Sequence, residues 1–251
     1  MVVTIDLNCD LGEGGPSDTG LMAVATSANV ACGFHAGDPE LMERTVRAAV
    51  DNGVTVGAHP SYADRDGFGR RALDVPAARL RAELLYQLGA LDSICRTAGT
   101  SVRYVKPHGA LYNRAAVDDA LARTVVEAVA SYGAGLTLLC PPSSALARAA
   151  EAAALTVVTE CFADRAYRPD GTLVPRHEAG AVIEDPAAVV ERGVRMAVEG
   201  VVQAVDGSTV KLGAGSMCVH GDTRGALDIA HRLRGALEEA GVVVRPFAPG
   251  G

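Results

Sequence analysis

Seven short apolar runs recur along the chain, Val2 to Leu7, Asn29 to Cys32, Thr55 to Ala58, Val102 to Val105, Leu136 to Cys140, Val157 to Cys161 and Met217 to Val219, with helical patterns between them. Runs this apolar read as strands covered on both faces, a mark of parallel rather than antiparallel sheets. The helical stretches carry their own punctuation. Asp38-Pro39 and Asp185-Pro186 place a capping carboxylate before a proline suited to the first helical position, and Pro76 opens an amphipathic run lasting to about Ala98. Gly53, Gly99, Gly133 and Gly241 follow helical patterns where a left-handed cap is expected, and Val242 to Phe247 supplies a last edge strand. Strands alternating with helices require right-handed crossovers and a parallel sheet, closed into a barrel or open. No GxGxxG or GxxxxGK[ST] follows any strand, which weighs against dinucleotide and P-loop folds and towards a barrel. The 251 residues suit one such barrel as a single domain over 1–251, with 246–251 expected to be a flexible tail.

Composition narrows the partners. The net charge is −7, no basic block occurs, and aromatic residues make up 4% of the chain, so a nucleic-acid surface is not expected. No apolar run approaches the ~20 residues of a membrane span, and the amino terminus enters a strand pattern without a basic leader; the expected location is the cytoplasm. The six cysteines show no CxxC spacing and read as reduced, buried hydrophobes. Cys9, Cys32, Cys161 and Cys218 fall within polar motifs, so a catalytic thiol is the minor reading there.

Six polar stretches carry the chemistry: DLNCDLGE from Asp6, ACGFHAGDP from Ala31, GAHPSYADRDGFGRR from Gly57, VKPHGALYN from Val105, ECFADRAYRPDGTLVPR from Glu160 and CVHGDT from Cys218. Five lie directly behind an apolar run, and in a parallel α/β fold all strand carboxyl ends share one face, so distant motifs can converge on one site. Arg65, Arg70, Arg71, Lys106, Arg165, Arg168 and Arg176 would then form a cationic mouth on an acidic body, suited to a carboxylate or phosphate ligand. The plainer alternative pairs them with Asp64, Asp66, Asp164 and Asp170. Asp6, Asp10, Glu13, His35, Asp38, His59, His108, Glu160, His220 and Asp222 supply acids and imidazoles. His177 and His231 are weaker candidates, and a lone histidine is more often structural. Neither HxH after the first strand nor an HxxxH pair occurs, so the spacing does not call for a metal; if one binds, Asp10, His59 and Glu160 are the candidates. The two long connections, Pro60 to Asp74 and Ala163 to Glu184, have the length of functional loops.

These motifs, in this order and over essentially the whole chain, resemble the LamB/YcsF family, the A subunits of bacterial ATP-dependent 5-oxoprolinase. Small departures are Ala63, where proline is common, and Gly213 to Ser216, less polar than usual ahead of CVHGDT. The resemblance implies a single-domain seven-stranded (β/α) barrel, TIM-like, of the glycoside hydrolase and deacetylase type. It also implies cleavage of the lactam of 5-oxo-L-proline to L-glutamate with ATP hydrolysis to ADP and phosphate, together with subunits B and C. ATP would be a cosubstrate accompanied by a divalent cation such as Mg2+, with no organic redox cofactor; a homo-oligomer stays open. An unactivated lactam hydrolyses slowly, so phosphorylating its oxygen makes coupling to ATP chemically reasonable. Such chemistry needs cations for anionic oxygens, donors at the carbonyl and a base for water. Lys106, Arg70 and Arg165 are expected to bind anionic oxygens, His59 or His108 to move protons, and Asp10 or Glu13 to act as base or hold a cation. Arg176, Asn8, His35, Tyr112, His220 and Asp222 complete the expected substrate and phosphate site. Two other readings are a metal-dependent deacetylase or carbohydrate hydrolase, and a noncatalytic scaffold that presents substrate to partners.

Overall fold

The alternation of strands and helices closes on itself. The computed structural model describes residues 2–133, 135–221 and 225–248. In chain order the elements are β1 (Thr4–Leu11), α1 (Asp18–Met22), β2 (Ser27–Ala31), α2 (Pro39–Asp51), β3 (Thr55–His59), α3 (Ala77–Thr97), β4 (Tyr104–Val105), α4 (Gly109–Ala115) and α5 (Asp119–Tyr132). There follow β5 (Thr137–Cys140), α6 (Ala145–Ala152), β6 (Thr156–Phe162), α7 (Pro186–Glu199), β7 (Val201–Gln203), β8 (Thr209–Lys211), β9 (Ser216–Val219), α8 (Ala226–Glu239) and β10 (Val243–Val244). Strands β1 to β6 and β9 are neighbours in that order and all parallel, and β9 pairs back onto β1, giving the seven-stranded barrel. Short β10 adds outside the ring to the start of β1, with Thr4 opposite Val243.

Helix boundaries follow local chemistry. Asp38 accepts from the Leu41 amide at 2.8 Å and Asp185 from the Ala187 and Ala188 amides, each just before its proline. Gly53, Gly99 and Gly241 are left-handed as expected; Gly133, at φ 172°, is simply extended.

Two expectations need correction, and one hairpin was not foreseen. The first strand is not Val2 to Leu7 but extends to Leu11, so most of the DLNCDLGE motif is itself strand. Its alternation explains why: Ile5, Leu7, Cys9 and Leu11 join the core beneath the helices, while Asp6, Asn8 and Asp10 bond to partners across the barrel interior. The hairpin β7–β8 is not legible as an apolar run, because each strand has three residues and is only partly buried. The tail expected to be flexible begins with ordered packing instead: the Phe247 ring lies 5.0 Å from that of Tyr104, and Ala248 is buried with its carbonyl accepting from Thr55 Oγ1 at 3.2 Å. Residues 249–251 lie outside the described residues.

Candidate active site

Polar residues occupy the barrel axis, and each is met by another. At the amino-terminal end, Asp6 accepts from the hydroxyls of Thr26 and Ser27 at 2.6 Å each and from that of Ser216. One layer up, Asn29 Nδ2 donates to Asn8 Oδ1 and Asp10 Oδ1 at 2.7 Å each, and the Tyr104 hydroxyl donates to Asn29 Oδ1 at 2.7 Å. Gly57 makes this possible, since a Cβ there would overlap the Tyr104 ring.

Lys106 leaves β4 with its amide on the Ala58 carbonyl at 2.9 Å and sends its ammonium into this network. Its Nζ lies 3.0 Å from Glu160 Oε2, 3.1 Å from Asn8 Oδ1, 3.2 Å from Cys218 Sγ and 3.3 Å from Asp10 Oδ1. Burial opposes its charge, but Asp10, Cys218 and Glu160 outweigh burial and hold it well above the ordinary lysine range. Asp10 is the reciprocal case: burial resists ionisation, while Lys106 and His59 keep it well below the usual carboxylate range. An ammonium has three protons, and these neighbours engage all of them. Lys106 therefore organises the two carboxylates. Glu160 Oε1 and the Tyr112 hydroxyl, both buried, meet no partner in good hydrogen-bonding geometry among the described residues, and Tyr112 lies close enough to Glu160 for that carboxylate, after burial itself, to push the phenol well above its ordinary range. Both residues line the same cavity, where a ligand can supply those partners.

Three histidines and Glu13 gather beside Asp10. His35 Nε2 lies 2.9 Å from Glu13 Oε1, His59 Nε2 is 2.9 Å from His108 Nδ1 and 3.3 Å from Asp10 Oδ1, and His108 Nδ1 is 3.7 Å from Glu13 Oε1. The His35 and His108 rings stack at 3.8 Å. Burial, reinforced by neighbouring His59, brings His35 down to about 3; burial and the flanking imidazoles hold His108 well below its ordinary value. The backbone makes room where the loop of Gly67 to Arg71 meets α4, because a Cβ at left-handed Gly109 would meet the Gly69 carbonyl oxygen at 2.5 Å.

A cavity of about 1040 Å³ opens above these groups, lined by Asp10, Glu13, His59, Lys106, His108, Tyr112 and Glu160 from the barrel and by Arg70, Arg165, Arg168 and Arg176 from the loops. That exceeds the roughly 300–1,000 Å³ of a drug-sized ligand site. Arg165 is buried and spent locally, its guanidinium donating to the carbonyls of Val174 at 2.6 Å and Ala181 at 3.3 Å, and burial lowers it to about 10. Arg65 and Arg71 belong to the framework: Arg65 donates to the Gly33 and Gly37 carbonyls, and Arg71 pairs with Asp64. His220 bonds Asp164 at 2.8 Å and stacks on Phe162. Burial opposes Asp164's charge, yet His220 and Arg176 hold that carboxyl below the usual range.

The expected site residues Asn8, Asp10, Glu13, His35, His59, Lys106, His108, Tyr112, Glu160 and His220 thus converge at the strand carboxyl ends, with Arg70 and Arg176 at the rim; Asp222 lies outside the described residues. All six cysteines are buried as free thiols. Burial pushes Cys32 and Cys140 up to about 12 and Cys218 well above the ordinary thiol range, against nucleophilic use. Sequence reasoning missed Asn29, Ser61, Tyr104 and Gln87. Gln87, fully buried on α3, clamps the end of β3 by accepting from the Ser61 amide at 2.9 Å and donating to the Ser61 carbonyl at 3.0 Å. Its signal was a glutamine inside the apolar stripe Leu80, Leu84, Leu88, Leu91.

The LamB/YcsF profile matches residues 5–250. The chain belongs to the LamB/YcsF family. A LamB/YcsF relative, the A subunit of 5-oxoprolinase from Kocuria rhizophila, is 54% identical over 98% of this chain and 100% of its own. The crystal structure of the lactam utilization protein from Thermus thermophilus shares 40% identity and a TM-score of 0.91, covering 97% of this chain and all of that one. The family 4 carbohydrate esterase of Streptomyces lividans, 17% identical with a TM-score of 0.53 over 98% of this chain and 94% of its own, shares the barrel fold alone. Among the described residues no helix is long and apolar enough to cross a membrane.

Proposed function

We propose that this chain is the A subunit of an ATP-dependent 5-oxoprolinase of the cytoplasm, opening the lactam of 5-oxo-L-proline to L-glutamate in concert with subunits B and C. The observation that carries the reading is the full-length identity to a relative named as the A subunit of 5-oxoprolinase. The site supports it with an anion-binding rim above buried acid and base groups. The cavity has room for more than a five-membered ring, which suits a second ligand such as ATP with Mg2+ as its counter-ion.

In this reading the γ-phosphoryl group of ATP passes to the lactam oxygen and ADP leaves. Water adds to the activated carbon, the ring C–N bond breaks with a proton delivered to nitrogen, and a second water releases phosphate from the acyl phosphate. Arg70 and Arg176 hold the substrate carboxylate and phosphoryl oxygens at the rim. Glu13, joined to His35 and near His108, takes the proton of the attacking water. His59 and His108, 2.9 Å apart, move a proton towards the leaving nitrogen. Asp10 orients His59, and Lys106 fixes Asp10 and Glu160.

The test is glutamate release from 5-oxo-L-proline by the purified chain, alone and with folded, associated B and C partners, with and without ATP. Release only from the ATP-supplied complex is expected. Its absence there, or release without ATP, overturns the proposal.

A further inference from the structure

The hydrogen-bond directions around the three histidines set a condition that their partners among the described residues do not meet. Each ring has one nitrogen committed outward. His59 Nδ1 faces the Lys106 carbonyl at 2.7 Å and His108 Nε2 the Phe68 carbonyl at 2.8 Å. A carbonyl only accepts, so the proton sits on those two nitrogens. His35 Nδ1 lies 3.0 Å from Ser61 Oγ, whose hydrogen goes to the Tyr62 carbonyl at 2.9 Å, so Ser61 accepts and His35 also donates outward.

With neutral rings the inward atoms, His35 Nε2, His59 Nε2 and His108 Nδ1, are lone pairs that also face the carboxylates of Glu13 at 2.9 Å and Asp10 at 3.3 Å, so a positive charge among them is favoured; with a Glu13 oxygen they all lie within 4.8 Å of one another. Two lone pairs 2.9 Å apart, as between His59 and His108, repel unless something positive lies between them. Filling the space with protons would create imidazolium rings within 3.8 to 5.6 Å of each other, at residues 1 to 5% exposed. One divalent cation meets all four atoms at once.

We propose that Glu13, His35, His59 and His108 form a binding site for one divalent transition-metal ion of the zinc class. Nitrogen and oxygen donors at bond lengths of about 2.0–2.2 Å place tetrahedral ligand atoms roughly 3.3–3.6 Å apart. The observed 2.9 and 3.7 Å separations bracket that spacing. The outward acceptors orient each ring as the outer partners of metal-bound histidines do, holding one nitrogen protonated and aiming the other inward. The His59 and His108 rings are near-perpendicular, at 84°, whereas the His35 ring must tilt out of its parallel stack on His108 for both to face one ion. Its outward partner is the Ser61 hydroxyl rather than a carbonyl, and a hydroxyl can follow such a tilt.

The ligand set differs from the Asp10, His59 and Glu160 expected from sequence. Glu160 Oε2 is held by Lys106 and Asn8, and Asp10 Oδ1 by Asn29 and Lys106. The proposal shares Glu13, His59 and His108 with the lactam reading, and a bound ion would occupy the lone pairs that reading uses for proton transfer; its test measures bound metal rather than turnover, so either can fail alone.

The chain is stripped with chelator, reloaded with Zn2+ or Co2+, passed through gel filtration and analysed for metal. One ion per chain is expected, with the strong visible ligand-field bands of four-coordinate Co2+. His59→Gln and His108→Gln should weaken binding by about 100-fold and Ser61→Ala, which removes only an outer partner, by about 10-fold, while exposed His231→Gln leaves metal content unchanged. Should the ligand variants not fold, the Co2+ spectrum of the unaltered chain decides alone. A chain that retains no ion at micromolar Zn2+, Co2+ bands of six-coordinate type, or equal binding by a folded His59→Gln variant would overturn the proposal and leave a shared proton between His59 and His108.

Discussion

Lys106 shows how one buried charge constrains its neighbours. With its side chain 4% exposed and Asp10 and Glu160 at 3.3 and 3.0 Å, it is worth more as a counter-ion than as a packing group. Lys106→Met leaves both carboxylates buried without their cation, and the expected loss is about 3–5 kcal/mol, read from urea unfolding. Adding Glu160→Gln to that variant should restore part of the loss; no recovery in the double variant would mean that the lysine stabilises through packing. At the other end of the axis, burial outweighs the hydroxyl donors of Ser216, Ser27 and Thr26 and raises Asp6 to about 6 from 3.8. The folded chain therefore keeps a proton that the unfolded chain has already lost. Stability from this group is fully present below pH about 4 and is lost as pH rises to about 6, by up to roughly 3 kcal/mol for a shift of about two pH units. Asp6→Asn should flatten that part of the stability profile, and an unaltered slope between pH 4 and 6 in the variant would refute the assignment.

Elements are legible in proportion to how far their pattern is set by burial. Six of the seven barrel strands overlap apolar runs, and all but β6 are covered on both faces; α2 and α7 begin at their Asp-Pro signals. β1 is misread from sequence because its inward residues are Asp6, Asn8 and Asp10, whose partners come from β2, β6, β9 and Lys106, more than nineteen residues away in most cases and invisible in a local window. The motifs reveal which residues gather at the mouth. They do not reveal that Arg165 is spent on its own loop while Glu160 Oε1 meets no well-formed hydrogen bond among the described residues, since both depend on where side chains end. Gln87 tests this element-level reading. Gln87→Leu keeps the apolar stripe of α3 but strips both bonds from the Ser61 backbone, at an expected cost of about 1–3 kcal/mol. Hydrogen exchange should rise first at the Ser61 amide. If exchange there is unchanged, the glutamine does not hold the end of β3.

As a whole molecule the barrel has a wet end and a sealed one. The carboxyl-end mouth opens into the cavity of about 1040 Å³, while the opposite end carries Asp6, Ser27, Thr55 and Ser216, all buried. Polar groups inside a narrow barrel keep their hydrogen-bond directions only where bulk water does not compete for them. The carboxyl-terminal segment helps to provide that seal: β10 lies along the start of β1, the Phe247 ring meets Tyr104 edge-on at 67°, and Ala248 caps Thr55. Tyr104 in turn donates to Asn29, two bonds from Lys106 by way of Asn8, so the seal reaches the site through a continuous polar chain. Phe247→Ala is expected to cost about 1–2 kcal/mol, the scale for a half-buried aromatic side chain. Its signature should be directional, with faster amide exchange at Thr55 and Tyr104 and little change in α5 or α6. Uniformly faster exchange would make the phenylalanine an ordinary packing residue, whereas protection lost first around the barrel floor would mark residues 243–248 as the closure of the fold.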